Sequence, residues 1–545
     1  MKWILFAVTI ASLLFVKCTS EEIESKNEVV IGIPADIESL NPLFAFTFEE
    51  GNITELLFQS LVKHRWDYER AELTNEPMLA VNWEWEPDSS SIIVNIKHDV
   101  FWSDSVNLTV NDIVFSFDLY SDPVVQSRAL GYFNNFYTYD AGGVDIEKSF
   151  EILSDYSLKI NFKENAHPTL VDIDHPVVPK HALENIDRSQ LINHEFNQDP
   201  ITSGPFKVSK WIRNQALFLE ADKKSGFFKP ESITKLIFKV VPDYNSRILQ
   251  LKKGELDLVK GIKSEDINQL KEDERLNINS VKDRMYDFIG WNSIEKRDNR
   301  TYPNRFFANR NVRIALTHAL NREEVLTEYL YDYGKLMTGP VSPLYNDAFD
   351  KSDTPISYDP DLAKKILNQE GWEDTNGNGI IDKDGLEFIF DLYTSTGNPT
   401  RKFASTLFKN NLKIIGIDMN VKFIEFGALM DGIFNKQFDS FMLGTAISLP
   451  IDLSVQWHSD PNVSRVNFVS YSNNEVDELL DKLENSISRE DYFARLKKIN
   501  KIIQHDQPCT FLYWLDNVTA YNNKIINIDF NPLGVIHHCW EWSIK

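Results

Sequence analysis

The chain has 545 residues, of which 42% are hydrophobic and 12% aromatic, and it carries a formal net charge of −24 at pH 7. This composition is typical of a packed globular protein and excludes a largely disordered chain. Because a chain of this length exceeds what one hydrophobic core supports, we expect two or three lobes. The negative charge argues against nucleic-acid binding, which depends on basic patches.

The N-terminus has the order of an export signal. Lys2 gives a positive start, residues 4–16 form an apolar run too short to span a bilayer, and Cys18 follows before an acidic stretch. We therefore predict a bacterial lipoprotein in which residues 1–17 are a signal peptide, Cys18 carries the lipid and residues 18–28 are a tether. This places the protein in the periplasm or at the outer face of the cell envelope.

Lys17 departs from the small residue that signal peptidases prefer before the cut. The alternative is an ordinary secretory signal with an incidental cysteine at position 18. After residue 17 no second apolar run has membrane-spanning length, so the lipid would be the protein's only contact with the membrane.

The first third of the chain alternates short strands and helices. A β-branched strand ends at Pro34, and helix 111–120 begins at an Asn cap with apolar residues at helical spacing. The predicted elements are strand 29–33, an amphipathic helix at 54–63, strand 92–96, a turn at 103–107 and helix 111–120.

The remaining chain continues this alternation after a Pro- and Gly-containing boundary at 200–206. The predicted strands are 206–211, 216–220, 235–241, 256–259, 386–393, 418–425 and 439–443. The predicted helices are 243–253, 309–332, 359–370, 400–415 and 473–505, the last with a break at 486–489. Strands that alternate with helices indicate an α/β protein with layered sheets.

The sequence contains none of the common catalytic signatures: GxSxG, HExxH, a P-loop, CxxC or a complete GxGxxG. We therefore predict that the protein is not an enzyme and uses no catalytic cofactor, which disfavours an extracellular hydrolase.

One loop, DTNGNGIIDKDG (374–385), matches the first nine positions of a calcium-binding loop. The candidate ligands are Asp374, Asn376, Asn378, the Ile380 carbonyl and Asp382. The twelfth position, which should be a bidentate Glu, is Gly385. The alternative is an Asx-rich turn between a helix and a strand, in which any calcium would be weakly bound and structural.

Two cysteines, Cys509 and Cys539, remain near the C-terminus. An oxidising compartment permits a disulfide between them. The alternative is two buried thiols that pack as small apolar side chains.

Ten blocks of sequence, taken in order, resemble one protein family. The blocks are ADIESLNP (35–42), LFQSLV (57–62), MLAVNWEW (78–85), IIVNIKHDVFWSD (92–104), LTVNDIVFSF (108–117), SGPFKVSKW (203–211), LKKGELDL (251–258), NRNVRIALTHALNREE (309–324), YDPDLAKKIL (358–367) and YSNNEVDELL (471–480). They resemble the family 5 extracellular solute-binding proteins, the dipeptide-, oligopeptide- and nickel-binding proteins of ABC transporters. The resemblance covers about residues 29–530.

The resemblance implies the two-lobed periplasmic-binding-protein fold of the large peptide-binding type (class II), an α/β fold with an extra inserted lobe and a ligand cleft between the lobes. We assign residues 29–58, 200–291 and 513–545 to lobe I, residues 59–199 to the inserted lobe II and residues 292–512 to lobe III.

The resemblance also implies candidate cleft residues. They are Phe46 and Phe48 before the first helix, Trp291 and Asn292 at the join of the lobes, Ser448 and Asp452 in the loop that grips the ligand, and the aromatic residues Phe426, Trp457, Tyr513 and Trp514. For each aromatic residue the alternative is core packing.

Two departures from the family concern ligand specificity. Peptide-binding members place an Asp where this chain has Ser448, in a shorter loop, so Asp452 is the nearest acid to pair a ligand ammonium group. The basic residues that some members use for a peptide carboxylate fall near Ile433 and Met442 here.

The family function implied is capture of a solute, above all a peptide, and its delivery to a membrane permease with its ATPase subunits by a monomeric protein. The alternatives are a non-peptide solute such as a nickel chelate, an oligosaccharide or a modified peptide, and a sensory binding protein that does not transport.

Overall fold

The computed structural model describes residues 27–545 except 88, 165, 167, 299, 346, 349, 351, 465 and 484–487. The predicted signal peptide, Cys18 and most of the predicted tether lie outside the described residues.

The described residues form 23 strands. They are β1 Glu28–Ile33, β2 Val62–Asp67, β3 Glu72–Pro77, β4 Ala80–Trp85, β5 Ser91–Ile96, β6 Phe150–Ser154, β7 Ser157–Asn161, β8 Phe206–Ile212, β9 Ala216–Ala221, β10 Lys235–Val240, β11 Leu258–Lys260, β12 Leu276–Trp291, β13 Ile294–Arg297, β14 Arg300–Pro303, β15 Gly334–Leu336, β16 Asp382–Lys383, β17 Leu386–Glu387, β18 Ile389–Ser395, β19 Asp418–Ile424, β20 Ser440–Ala446, β21 Cys509–Asn522, β22 Ile525–Ile526 and β23 Ser543–Ile544.

Helices alternate with these strands. They are α1 Phe48–Leu57, α2 Val110–Ser121, α3 Ile146–Ser149, α4 Lys180–Leu183, α5 Tyr244–Lys253, α6 Ser264–Lys271, α7 Arg310–Ala319, α8 Arg322–Glu324, α9 Pro360–Gln369, α10 Pro399–Ile414, α11 Phe426–Phe434, α12 Ser454–Trp457, α13 Asn474–Asp481 and α14 Arg489–Asp506. Among the described residues, no helix combines the length and the apolar character needed to span a bilayer.

One 11-stranded sheet joins lobe I to lobe III. Its strand order is β19-β18-β20-β12-β21-β11-β1-β10-β9-β8, with β15 paired to β21. Lobe II carries a separate four-stranded antiparallel sheet, β4-β5-β7-β6. The α/β class predicted from the sequence is confirmed, and the structure adds one large sheet.

The two longest strands, β12 and β21, lie side by side at the centre of this sheet, and β21 crosses the predicted boundary between lobes III and I. They pair antiparallel from Leu276 opposite Asn522 to Gly290 opposite Cys509, with an irregularity between Lys282 and Tyr286. At the lobe I end β11 pairs with β21, and at the lobe III end β20 pairs with β12. The lobes are therefore joined by the hydrogen-bonded centre of one sheet.

The buried apolar residues form separate clusters. The largest unites β1, α1, the lobe II sheet and the C-terminal segment, and includes Ile31, Phe58 and Trp542. Two clusters fill lobe III, one around Trp457 and one around Trp291, while a small fourth cluster lies under α5 and α6. Distinct cores on either side of the crossing strands are what a molecule of separate lobes requires.

Two predicted helices differ from the structure. The helix predicted at 54–63 is α1, which begins at Phe48 because Thr47 and Glu50 form a capping box, and β2 already starts at Val62. The helix predicted at 309–332 is interrupted: α7 ends at Ala319, and the Asn321 side chain caps the start of α8.

Candidate ligand-binding site

The carboxyl ends of parallel strands from both lobes meet over the middle of β12. In lobe I, β11 runs parallel to β1 and ends at Lys260, opposite Thr519, which itself faces Asn279. In lobe III, β18 lies parallel to β19 and β20, and β20 ends with Ala446 opposite Met285. Because open α/β sheets bind ligands at the carboxyl ends of their strands, the space over residues 279–285 is the candidate cleft.

Exposed aromatic side chains form the lobe I wall. Phe46 and Phe48 are 63% and 52% exposed, and they flank Thr47, which caps α1. The Glu50 carboxylate accepts the N–H groups of Thr47 and Glu38, so the backbone that carries both rings is held from two sides. The Arg284 guanidinium on β12 lies 5.8 Å from the Phe48 ring centroid, which places this wall against the crossing strand.

The lobe III wall follows the ends of β19 and β20. Phe426, 55% exposed, starts α11 directly behind the Glu425 cap. In the next loop Ser448 and Asp452 are both exposed, and the Ser448 hydroxyl accepts the Asp452 N–H at 2.8 Å. Asp452 Oδ1 in turn accepts the Ser454 N–H at 2.9 Å, which fixes the carboxylate at the loop surface.

A buried ion pair supports the lobe III wall from below. Asp287 on β12 is fully buried, and Arg401 in the first turn of α10 donates to its Oδ1 from Nε at 3.1 Å and from Nη2 at 2.9 Å. Burial raises the pKa of the Asp287 carboxyl, and the charge and hydrogen bonds of Arg401 oppose that rise. Gly444 lies across from Asp287, where a Cβ atom would overlap both partners of the pair.

The structure places five predicted cleft residues in the protein core instead. The indole nitrogen of Trp291 donates to Thr510 at 3.0 Å, and Asn292 accepts a hydrogen bond from Ser470. Trp457 packs against Phe511. Trp291, Asn292, Trp457, Tyr513 and Trp514 are each 3% exposed or less. Their burial corrects the prediction of an aromatic-lined pocket in favour of core packing, whereas the place of Trp291 and Asn292 at the join of the lobes stays a prediction.

The cysteines are also placed in the core. Cys509 and Cys539 are free thiols that belong to different hydrophobic clusters, so the disulfide alternative is corrected in favour of buried thiols. Burial raises the pKa of both thiols, which keeps them protonated.

The loop at 374–385 folds as a hydrogen-bonded Asx turn. The Asp374 carboxylate accepts the N–H groups of Gly377 and Gly379, and Asp382 accepts the N–H and hydroxyl of Thr375. The Asn376 side chain accepts the Asn378 N–H, and the Asn378 side chain accepts the Ile380 N–H.

Glu387, two residues beyond the twelfth loop position, accepts a hydrogen bond from the Asn378 amide at 2.6 Å. Within the described ranges, no group of three or more His, Cys, Asp or Glu side chains is arranged to hold a metal ion. A weak structural calcium site in this loop stays a prediction.

Sequence reasoning missed several residues of the cleft. Arg284 and Met285 lie on β12 beneath it, and Asp287 and Arg401 are 114 positions apart in the chain. Asp287 carries one signal, because an acid among the apolar residues Tyr286, Phe288 and Ile289 requires a buried partner. The partner itself is set by the tertiary fold.

The fold and the cleft define a binding protein of the two-lobed periplasmic type. The family described as bacterial extracellular solute-binding proteins, family 5 (middle), matches residues 74–470, and this chain belongs to it.

Individual proteins of known name are similar to this chain over nearly its whole length. The oligopeptide-binding protein AppA of Bacillus subtilis (strain 168) is 30% identical over 523 residues, which cover 94% of this chain and 91% of AppA. The structure of Bacillus subtilis AppA in complex with a nonapeptide matches with a TM-score of 0.73 and 27% identity, covering 96% of this chain and all of AppA. NikZ of Campylobacter jejuni in complex with Ni(L-His) matches with a TM-score of 0.75 and 25% identity, covering 95% of this chain and all of NikZ.

Proposed function

We propose that the chain is the peptide-binding component of an ABC importer, which captures a peptide between lobes I and III and presents it to a membrane permease with its ATPase subunits. The observation that carries the proposal is the exposure of aromatic side chains on two lobes: Phe46 and Phe48 at the start of α1, and Phe426 at the start of α11. The similarity to AppA over 94% of the chain supports a peptide as the ligand.

The expected mechanism needs binding and no catalysis. Exposed rings on opposite walls gain apolar contact only when a ligand lies between them and water leaves the cleft. A ligand therefore stabilises the closed arrangement to the extent that it contacts both walls at once. The buried Asp287–Arg401 pair keeps the lobe III wall in one geometry while this happens.

Asp452 is the proposed anchor for the peptide ammonium group. Its Oδ1 is held by Ser454, and the carboxylate remains exposed at the cleft loop. We expect Asp452→Ala to lower the affinity for a peptide with a free N-terminus about tenfold, as loss of a charge-assisted hydrogen bond does. Titration calorimetry measures this, with the N-acetylated peptide as the matched control that does not respond.

Equal affinity of wild type and Asp452→Ala for the free peptide would discard Asp452 as the anchor. The ligand class is tested first by a thermal-shift screen of residues 19–545 with peptides, nickel chelates and oligosaccharides. A ligand at 100 times its Kd stabilises by about 2.7 kcal/mol. NikZ with Ni(L-His) favours a metal chelate as the second candidate, and a shift with chelates alone would select it.

We further propose that Cys18 carries a lipid that holds a monomeric binding protein beside its permease. The order of residues 2–18 supports this anchor. We expect Cys18→Ser to move the protein from the membrane fraction to the soluble fraction, as followed by ultracentrifugation and immunoblotting. Membrane retention of that variant would contradict the lipid anchor, and Ser20→Ala is the matched control that leaves retention unchanged.

A further inference from the structure

A pocket lies between lobe I and lobe II, and none of the residues assigned to the cleft lines it. Its volume is about 680 Å³, which is within the range of small-molecule sites. Lobe II lines it with the segment that follows β5, and lobe I with the start of β8 and the loop that follows β9. We call it the lysine pocket, because Lys97, Lys207 and Lys224 all line it.

The lysine pocket is a basic site in an acidic protein. The chain has a net charge of −24, yet residues 205–230 contain six Lys or Arg and two Asp or Glu. Lys207 and Lys224 are exposed, and neither forms an ion pair with a described residue. Asp99 and Asp222 also line the pocket, so three lysines stand against two aspartates. Because lysine is a common phosphate ligand, unpaired lysines around one pocket indicate a phosphate-bearing ligand.

Lys97 is the least exposed of the three lysines. Its ammonium group lies 5.2 Å from the centre of the Phe227 ring and has no ion-pair partner in the part of the chain that the structure describes. Burial lowers the pKa of Lys97, the charge of Asp99 opposes this, and the charge of Lys63 adds to it. A half-buried cation without a paired anion is unfavourable, so a bound anion would stabilise Lys97.

Other polar groups of the lysine pocket are suited to hydroxyl groups. Gln59 is 2% exposed; its Nε2 donates to the Ser203 carbonyl at 2.6 Å, whereas its Oε1 has no hydrogen-bond partner among the described residues. The carboxylates of Asp99 and Asp222 can only accept hydrogen bonds. Phe101, which is 53% exposed, adds an apolar ring on which a carbon skeleton can pack. The lining therefore fits a ligand that carries hydroxyl groups as well as a phosphate.

Hydrogen bonds between the two lobes hold the walls of the lysine pocket together. The Ser103 N–H donates to the Thr202 carbonyl at 2.7 Å, and the Thr202 N–H donates to the Ser103 hydroxyl at 3.0 Å. The Gln59 N–H donates to the Ser203 hydroxyl at 3.2 Å. A ligand would therefore bind to a site that is already formed, which lowers the cost of binding.

We propose that the lysine pocket binds a phosphate ester of a polyol, either a free sugar or glycerol phosphate or the glycerophosphate head group of a membrane lipid. The ammonium groups of Lys97 and Lys224 bind the phosphate, and Gln59 Oε1 and the two aspartates accept hydrogen bonds from the hydroxyl groups. This inference does not rest on peptide capture, because the pocket and the cleft share no lining residue.

A lipid head group is one source because the lysine pocket lies near the start of the described chain. The Asn27 carbonyl accepts the Thr234 N–H at 2.8 Å, and the Thr234 carbonyl accepts the Ala221 N–H at 2.9 Å, directly before the loop that lines the pocket. The segment from Cys18 to Asn27 reaches about 30 Å at most. A lipid on Cys18 would therefore keep the pocket close to membrane head groups.

The test measures phosphate esters and lipid vesicles separately. Titration calorimetry of residues 19–545 uses glycerol 3-phosphate, glucose 6-phosphate and inorganic phosphate, and co-sedimentation compares phosphatidylglycerol vesicles with phosphatidylcholine vesicles. We expect Lys97→Gln and Lys224→Gln each to weaken binding about tenfold, the effect of losing one charge-assisted hydrogen bond. Lys210→Gln is the matched control, because Lys210 is an exposed lysine on β8 that does not line the pocket.

The outcomes separate the two sources and decide the proposal. Binding of a soluble ester that both variants weaken identifies a free phosphate ester, and retention on phosphatidylglycerol vesicles that both variants weaken identifies the lipid head group. The proposal would be overturned if no probe bound, if inorganic phosphate bound as tightly as the better ester, or if both variants bound like the wild type. Peptide affinity should be unchanged in both variants. Melting temperatures detect any loss of folding, and Lys224→Gln changes only an exposed side chain.

Discussion

The lobes are connected in two different ways on two sides of the molecule. On one side β12 and β21 pair at the centre of the sheet that both lobes share, with backbone hydrogen bonds along their length and the buried Asp287–Arg401 pair beside them. On the other side the hairpin β2–β3 contacts lobe III through buried side chains and through the Arg489 guanidinium, which donates to the Arg70 carbonyl. The first connection has to persist in every state of the protein, whereas the second can separate.

The hairpin contact is a small piece of core shared between lobes. Trp66 and Ala71 are buried in the lobe III cluster although the chain around them belongs to the other side of the cleft. Arg489 adds ion pairs to Glu72 at 3.5 Å and to Asp347 at 2.8 Å, and all three side chains are at least a third exposed. Exposed pairs contribute little, so the apolar contact carries most of the attraction.

The difference between these two connections indicates where the lobes are expected to move relative to each other. Opening the cleft at the crossing strands requires only small changes in backbone twist, which the irregularity between Lys282 and Tyr286 accommodates. Opening it at the hairpin exposes Trp66 to water. The hairpin therefore favours the closed arrangement.

The largest expected effect comes from breaking the buried Asp287–Arg401 pair beside β12 and β21. Asp287→Ala leaves the Arg401 charge buried without its partner, so we expect the free energy of unfolding to fall by about 3–5 kcal/mol. Urea denaturation followed by circular dichroism measures it. The control is Asp391→Ala on strand β18 of the same sheet, whose pair with Lys422 at 3.9 Å is half-exposed. Equal losses in the two variants would refute the role given to the buried pair.

A smaller effect is expected at the contact between the hairpin β2–β3 and lobe III. Trp66→Ala removes a buried ring from the lobe III cluster. We therefore expect the free energy that holds the hairpin against lobe III to fall by about 3 kcal/mol. Small-angle X-ray scattering should then show a larger radius of gyration for the ligand-free protein. Trp85→Ala is the control because Trp85 stacks on Phe162 within lobe II, and an unchanged radius in Trp66→Ala would show that the hairpin does not hold the lobes together.

The smallest expected effect is a pH dependence of stability that arises from His64 on β2. His64 lies 2.9 Å from Asp174 and 2.7 Å from Asn75; burial lowers its pKa, but the hydrogen bond and charge of Asp174 outweigh burial and leave the pKa above the ordinary 6.5. Glu55 also favours the protonated ring. Stabilisation by a raised histidine pKa is complete below pH 6.5 and is lost as the pH rises through the folded-state value.

We therefore expect the melting temperature to fall by roughly 1–3 °C more between pH 6 and pH 9 in the wild type than in His64→Gln. Differential scanning fluorimetry at several pH values measures this difference. His98→Gln serves as the control, since His98 stacks on Tyr156 in lobe II. A wild-type pH profile that coincides with that of His64→Gln would contradict the role of His64.

Much of the fold could be predicted from the sequence, because local patterns set local structure. The strand at 29–33 and the helices at 111–120, 243–253, 359–370 and 400–415 appear within one or two residues of their predicted bounds. Each has an alternating or helical apolar pattern and a cap or breaker at its ends. The helix predicted at 309–332 failed because Asn321 restarts the helix, which apolar spacing alone does not reveal.

The candidate site was predictable only in part. Phe46, Phe48, Phe426, Ser448 and Asp452 were expected at the cleft, and the structure leaves all five exposed, so their role there stays a prediction. Trp457, Tyr513 and Trp514 were expected there too, but they pack inside. An aromatic residue has the same identity in a core and in a pocket, and only the surrounding chain decides which it occupies.

The sequence by itself determined the class of the protein, its alternation of strands and helices and its net charge, because these depend on composition and on neighbours along the chain. Tertiary structure alone decided that Arg401 meets Asp287 across 114 positions, and that Trp66 leaves its own side of the cleft to enter lobe III. These contacts follow from how the sheet brings distant segments together. Burial then determines how much each contact contributes to the free energy of folding, since a charge or a ring gains its partners only when water is excluded.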